Sequence, residues 1–199
     1  MRTILFSVLL LSVTFAYGQL IPEKANDISP LLIGEKIPNS AVQSTRGGSI
    51  SLARIYSRKP TVLIVYRGGW CPYCNLHLAE LQDIEQQLID AGFQIVAVSP
   101  DSPENLKATT SDKELKYTLL SDSDLSFLTE MGVVYQAPSR NHAMLKRASG
   151  GANPGYLPVP SVFLLDKEGV IMFQYINPNY KVRISSELLQ AAVSSLDRL

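Results

Sequence analysis

Thr61 to Tyr66 is an unbroken apolar run rich in β-branched residues, and it leads almost directly into Cys71-Pro72-Tyr73-Cys74, where a helical pattern begins. Leu78, Leu81, Ile84 and Leu88 recur on one helix face, Gly92 stands where a C-cap belongs, and a second apolar run covers Gln94 to Ser99. Strand, helix and parallel strand make a right-handed crossover unit, and strands this apolar must be covered on both faces. That requirement places helices on either side of a central sheet.

The same unit carries the chemistry. Cys71 and Cys74 are the only cysteines. At a helix N-terminus the unpaired N–H groups and the positive end of the helix dipole favour a thiolate, drawing a cysteine pKa from about 8.5 to roughly 3.5–7.5. The spacing lets the second sulfur close a disulfide within one turn. Cys71, ahead of the helix, is expected to be the exposed nucleophile, and Cys74, inside its first turn, the sulfur that resolves the mixed disulfide. A c-type haem would need histidine directly after the second cysteine, where Asn75 stands. Cys71, Cys74 and His77 could in principle meet a soft metal, but the local sequence supplies no fourth ligand and His77 is read as a surface or pocket residue. Gly68-Gly69 precedes the cysteines and does not fit a phosphate-cradling pattern. No metal and no bound cofactor is expected.

Arg2, an apolar stretch from Ile4 to Phe15, and Ala16-Tyr17-Gly18 read as a secretory signal peptide over residues 1–18. The stretch is shorter than the roughly 20 residues a membrane span needs, so no stable span is expected. Position 19 is glutamine, which gives no lipoprotein anchor. Export, periplasmic or extracellular, would place the cysteines where disulfides persist. A chain of 199 residues buries a core without staples, so a purely structural bridge is unnecessary. The 18 basic and 18 acidic residues balance, which implies no bulk attraction to nucleic acid. Residues 19–30 read as a tether and residues 31–199 as one domain.

Further elements follow along the chain. A hairpin turns at Arg46-Gly47-Gly48, between Val42 and Ile50-Leu52. Ser102-Pro103-Glu104 caps a helix running to about Lys113, Tyr117 to Leu120 is a short strand, and Leu125, Leu128 and Met131 mark a helix ended by Gly132. Ser161–Asp166 and Val170–Tyr175 form a second hairpin, and an amphipathic helix with Leu189, Val193 and Leu196 closes the chain. Gln136 to Pro158 reads as a long loop with Arg140, Lys146 and Arg147 but no acidic residue, serving as a lid or a partner surface.

This order of elements resembles a thioredoxin-like fold: α/β, a central mixed β-sheet flanked by helices, here with an N-terminal β-hairpin extension. Tyr66 to Leu76, Ala97-Val98-Ser99-Pro100, Leu120-Ser121-Asp122, Leu157 to Phe163 and Asn177-Pro178-Asn179-Tyr180 are together similar to the peroxiredoxin-like branch of the alkyl hydroperoxide reductase and thiol-specific antioxidant family. The resemblance covers most of the chain from about Leu31. It implies an antioxidant thiol oxidoreductase. Two features depart from it. The family pattern P-x-x-x-T/S-x-x-C, laid ungapped on the chain, puts its proline at Arg67, its threonine at Cys71 and its peroxide-reactive cysteine at Cys74. The arginine that the family places just before the strand at Ser161 is Pro160 here.

A proline at that point is a thioredoxin feature, which implies a cis Val159–Pro160 bond facing the cysteines, with Val159 offering backbone hydrogen bonds to an extended partner. By the same resemblance Trp70 shields the sulfurs, and Pro72 and Tyr73 help set the redox potential. Arg67 is open to three roles: stabilising a thiolate, binding a substrate carboxylate, or a solvated charge at a strand end. The expected function is thus an exported oxidoreductase cycling Cys71 and Cys74, reducing peroxide with electrons from an external dithiol such as a thioredoxin-like protein. One alternative is disulfide exchange with other exported proteins. The other is a non-catalytic metal-binding or interaction module with an inert disulfide.

Overall fold

The computed structural model describes residues 20–113 and 117–196; the leader expected over residues 1–18 lies outside them. A hairpin of β1 (Ala41–Ser44) and β2 (Ser49–Ser51) is followed by the short helix α1 (Leu52–Tyr56). The crossover unit is then β3 (Thr61–Val65), the helices α2 (Pro72–Asp83) and α3 (Glu85–Asp90), and β4 (Gln94–Ser99). Next come α4 (Pro103–Lys113), β5 (Thr118–Ser121), α5 (Ser126–Glu130) and β6 (Val134–Gln136). The chain continues through α6 (His142–Ala148), β7 (Tyr156–Pro158), β8 (Ser161–Leu165), β9 (Ile171–Ile176) and α7 (Ser186–Leu196).

Seven strands form one mixed sheet in the order β2-β1-β5-β4-β3-β8-β9. β3 runs parallel to β4 and β4 to β5, while β8 lies antiparallel to β3 and β9 to β8. Side chains alternate between the faces of a strand, and the core divides accordingly. Val62, Ile64, Ile95, Ala97 and Leu164 pack with Leu78, Leu81, Leu88 and Leu189 on one face. Leu63, Val65, Val96, Val98 and Phe163 pack with Leu52, Phe127, Leu128 and Met131 on the other. All five residues of β3 are buried, as a strand covered on both sides must be. The architecture is the expected α/β one, with the N-terminal hairpin added at the β5 edge.

Three segments differ from the sequence reading. The helix after the cysteines is two helices, broken at Ile84 (φ −107°, ψ 4°). Residues 136–158 are not an open loop. β6 pairs antiparallel with β7, α6 lies between them, and Leu145 and Leu157 bury with Ala137 in a small cluster. The expected tether is laid against the domain where it is described: Gln136 donates its backbone N–H to Pro22 O (2.8 Å) and its side-chain amide to Ile21 O (3.2 Å).

Candidate active site

β3 delivers the chain to Arg67, and a tight Gly68-Gly69-Trp70 turn then swings it into α2. Gly68 has φ +138°, and a Cβ there would collide with the Trp70 indole and the Asp101 carboxylate. A Cβ on Gly69 would strike the Thr109 hydroxyl. The turn is pinned from β4's end, where Asp101 Oδ2 accepts the Gly69 N–H (2.6 Å), and from α2, where the Asn75 amide donates to Gly69 O (2.8 Å). Burial raises the Asp101 carboxyl to about 6, although the Gly69 N–H pulls the other way.

Cys71 is the N-cap of α2 in extended conformation, with Pro72 in the first turn, and its carbonyl accepts the N–H groups of Cys74 (3.1 Å) and Asn75 (3.0 Å). Both thiols are free, and each residue is only 1% exposed. The expectation of an exposed Cys71 is therefore corrected. What separates the two is the cavity: Cys71 lines a space of about 310 Å³ together with Arg67, Trp70, Tyr73, Tyr135 and Tyr180, whereas Cys74 does not.

Their acidities diverge because they share a hydrogen bond. The Cys74 thiol donates to the Cys71 sulfur, and this, helped by the Cys74 backbone N–H and by Arg67 and Arg183, brings Cys71 down to about 6 against the cost of burial. Cys74 is pushed up, first by that same hydrogen bond, then by burial and by the charge on Cys71. Opposing the rise are the Arg67 backbone N–H and the Arg183 guanidinium, whose Nη2 sits 3.5 Å from Cys74 Sγ.

Arg183 arrives from the irregular segment after β9 and was not anticipated from the sequence. Its other nitrogen donates to the carbonyls of Tyr180 and Val182, which fixes it across the α2 N-terminus. It also faces His77, which is buried and not at the surface; burial, then Arg183, lowers that imidazole to about 4. Among the described residues no set of His, Cys, Asp and Glu is placed to hold a metal ion. Likewise none of their helices is long and apolar enough to cross a membrane.

Arg67 is 6% exposed, which removes the solvated reading. Its guanidinium carbon lies over the Tyr180 ring (4.2 Å) and the Trp70 ring (5.2 Å). Tyr73, 38% exposed, meets Tyr180 edge-on at 5.7 Å, and Pro72 and Tyr73 form the outer wall of the cavity. Trp70 separates this cavity from a second one of about 340 Å³ bordered by Asp101, Asn105, Met144 and Arg147. The basic 136–158 segment thus supplies wall to both spaces, Pro138, Arg140 and Asn141 to the first and Met144 and Arg147 to the second.

Val159 and Pro160 do not behave as expected. No peptide bond among the described residues is cis, so Val159–Pro160 is trans, the isomer favoured by about 0.5–1 kcal/mol. Val159 is fully buried, its N–H donates to Val133 O (2.8 Å), and its carbonyl accepts the Ser161 hydroxyl (2.9 Å). Its backbone is spent on the strand connection, leaving no edge for an extended partner. Pro160 is not among the residues lining the Cys71 cavity.

Known proteins share the fold and the family of this chain. A model of the AhpC/TSA family matches residues 33–174. The chain is 29% identical over 161 residues to the chloroplastic peroxiredoxin Q of Sedum lineare, covering 79% of this chain and 77% of that one. It is 26% identical over 162 residues to the chloroplastic peroxiredoxin Q of Gentiana triflora, covering 80% and 67%. Among solved structures, reduced Prx3 of Vibrio vulnificus in complex with hydrogen peroxide superposes with a TM-score of 0.71 at 19% identity, over 82% of this chain and 99% of that one. The peroxiredoxin Q of Xanthomonas campestris does so with 0.65 at 18%, over 83% and 98%. At those identities the two structures speak to the fold.

Proposed function

The chain belongs to the AhpC/TSA family, and from that premise we propose that it is a thiol-dependent peroxidase in which Cys71 and Cys74 cycle between dithiol and disulfide. The observation that carries this reading is the asymmetry of the pair: Cys71 borders the cavity and is acidic, and Cys74 sits behind it against Arg183. The Cys71 thiolate attacks the peroxide, an S–O bond forms, the O–O bond breaks, and the departing oxygen takes a proton to leave as water or alcohol. Cys74, as a thiolate, then displaces hydroxide from the sulfenic acid, the S–S bond forms and water leaves. An external dithiol such as a thioredoxin-like protein reduces the bridge.

Oxidation of Cys71 also prepares the second step. Two of the influences that hold Cys74 protonated, the hydrogen bond to the Cys71 thiolate and its charge, vanish when Cys71 is no longer anionic. Burial alone then opposes Arg183 and the Arg67 N–H. Resolution is thereby timed to follow attack.

A second reading makes Cys74 the peroxide-reactive sulfur. It is favoured by the 3.5 Å approach of Arg183, a cation where the family arginine is replaced by Pro160. Stopped-flow oxidation of the reduced protein and of Cys71→Ser and Cys74→Ser separates the two. The first reading expects peroxide reactivity to vanish in Cys71→Ser and a stable sulfenic acid to accumulate in Cys74→Ser; the reverse pattern installs the second. Disulfide exchange with proteins is less well supported, since the Val159 backbone is already engaged.

The same proposal includes export and cleavage after Gly18, supported by Arg2, the Ile4–Phe15 stretch and Ala16-Tyr17-Gly18. Intact mass of the secreted protein should match a chain beginning at Gln19 or its pyroglutamate form. A mass retaining residues 1–18 would show the segment to be an anchor instead.

A further inference from the structure

Arg67 is a buried cation, and the negative charge it faces in its cavity is the Cys71 thiolate that it helps to hold. Its side chain borders the Cys71 cavity, its Nε is buried with no hydrogen-bond partner, and none of the residues lining that cavity is acidic. Removing a charge from water is costly unless it is paired. Tyr180 and Trp70 recover part of that cost through cation–π contact, the guanidinium carbon lying over both rings. A ring face supplies no oxygen acceptor, however, and the buried Nε–H stays unpaired. Arg140 adds a second cation at the rim, beside the Asn141 amide.

We propose that Arg67 is the anion-recognition group of this cavity and that the substrate reacting at Cys71 is a compact organic molecule carrying a carboxylate near its O–O or S–S bond. The proposal rests on the assignment of Cys71 as the attacking sulfur. Trp70, Tyr73, Tyr135 and Tyr180 give the space aromatic walls suited to an apolar body, and about 310 Å³ suits a small molecule rather than a protein loop. With a disulfide, the Cys71 thiolate bonds to one sulfur and the S–S electron pair leaves with the other half as a thiolate. The Cys74 thiolate then bonds to Cys71 and expels the second half. The protein's dithiol is oxidised by two electrons and the substrate is reduced to two thiols. With a hydroperoxide the steps are those given above and the organic product is the alcohol.

Paired probes test the charge requirement. Reduced protein is mixed with 5,5′-dithiobis(2-nitrobenzoate), which has a carboxylate on each half, and with neutral 4,4′-dithiodipyridine, each rate being divided by that of a small free thiol. Arg67→Gln changes the Cys71 thiolate population for both probes alike, so their ratio isolates recognition. The ratio is expected to fall about tenfold or more, the scale of a charge-assisted hydrogen bond. A carboxylated and an uncarboxylated aryl hydroperoxide form the second arm. Carboxylate preference lost on Arg67→Gln in either arm supports the proposal and tells which bond type is used; an unchanged ratio in both overturns it. Should Arg67→Gln not fold, the intact protein still decides: benzoate should protect Cys71 from iodoacetamide where benzamide does not, and equal protection overturns the idea. Carboxylate selectivity at disulfides with no peroxide reactivity would sink the peroxidase reading alone.

Discussion

The turn from Gly68 to Cys74 and the strap from Asn177 to Arg183 meet at the same two sulfurs by different means. The turn is held by regular structure, being the junction of β3 and α2 with Asp101 and Asn75 bonded to its backbone. The strap has no helix or strand. It is shaped by asparagine turns, Asn177 Oδ1 accepting the Asn179 N–H (3.0 Å) and Asn179 Oδ1 the Lys181 N–H (3.2 Å), and it projects Tyr180 and Arg183 at the site. One region supplies the reacting atoms and the other much of the charge around them. A charge acts through space, so the residue that supplies it need not lie near the thiols in sequence.

If the strap's contribution is electrostatic, Arg183→Gln should slow bridge formation after Cys71 is oxidised by about 10²-fold, the usual consequence of removing one preorganised donor. Arg183→Lys should restore part of that loss, since a cation remains although its fork does not. Single-turnover quench with mass spectrometry of the sulfenic and disulfide forms reads the step directly. Equal slowing in the glutamine and lysine variants would instead assign Arg183 to holding the Tyr180 and Val182 carbonyls.

The turn should fail differently. Gly68→Ala imposes a side chain at φ +138° and drives it into Trp70 and Asp101. A loss of about 1–3 kcal/mol of stability is expected, with the urea midpoint moving at constant slope. A variant as stable as the parent would mean that the turn relaxes and that its geometry is not fixed by packing.

The two regions were also unequally legible. Thr61–Val65 and Gln94–Ser99 stand out because strands buried on both faces tolerate little but β-branched and apolar residues. Cys71-x-x-Cys74 needed only its spacing and its place before a helix. Arg183 and Tyr180 gave no periodic signal, and the Asn177-Pro178-Asn179-Tyr180 motif was the one hint that their segment mattered. Residues 136–158 hid α6 and the β6–β7 pair because few apolar side chains, set among prolines and glycines, make their own small cluster. Pro160 misled because its position matched thioredoxins, while the bonds that engage the backbone of its neighbour Val159 come from Val133 and Ser161.

The smallest effect ranks the two regions against each other. A thiolate is alkylated and a thiol is not, so the iodoacetamide rate at Cys71 should rise with pH through a midpoint near 6, well below the ordinary cysteine value of about 8.5. Donors that hold the anion lower that midpoint, and removing one must raise it and reduce the thiolate fraction at neutral pH. The Cys74 thiol is the largest such influence and Arg183 the smallest. Cys74→Ala should therefore shift the profile to higher pH by more than Arg183→Gln does, with Arg67→Gln between them. A larger shift for Arg183→Gln than for Cys74→Ala would reverse the ranking and make the remote strap, not the neighbouring sulfur, the chief cause of Cys71 acidity.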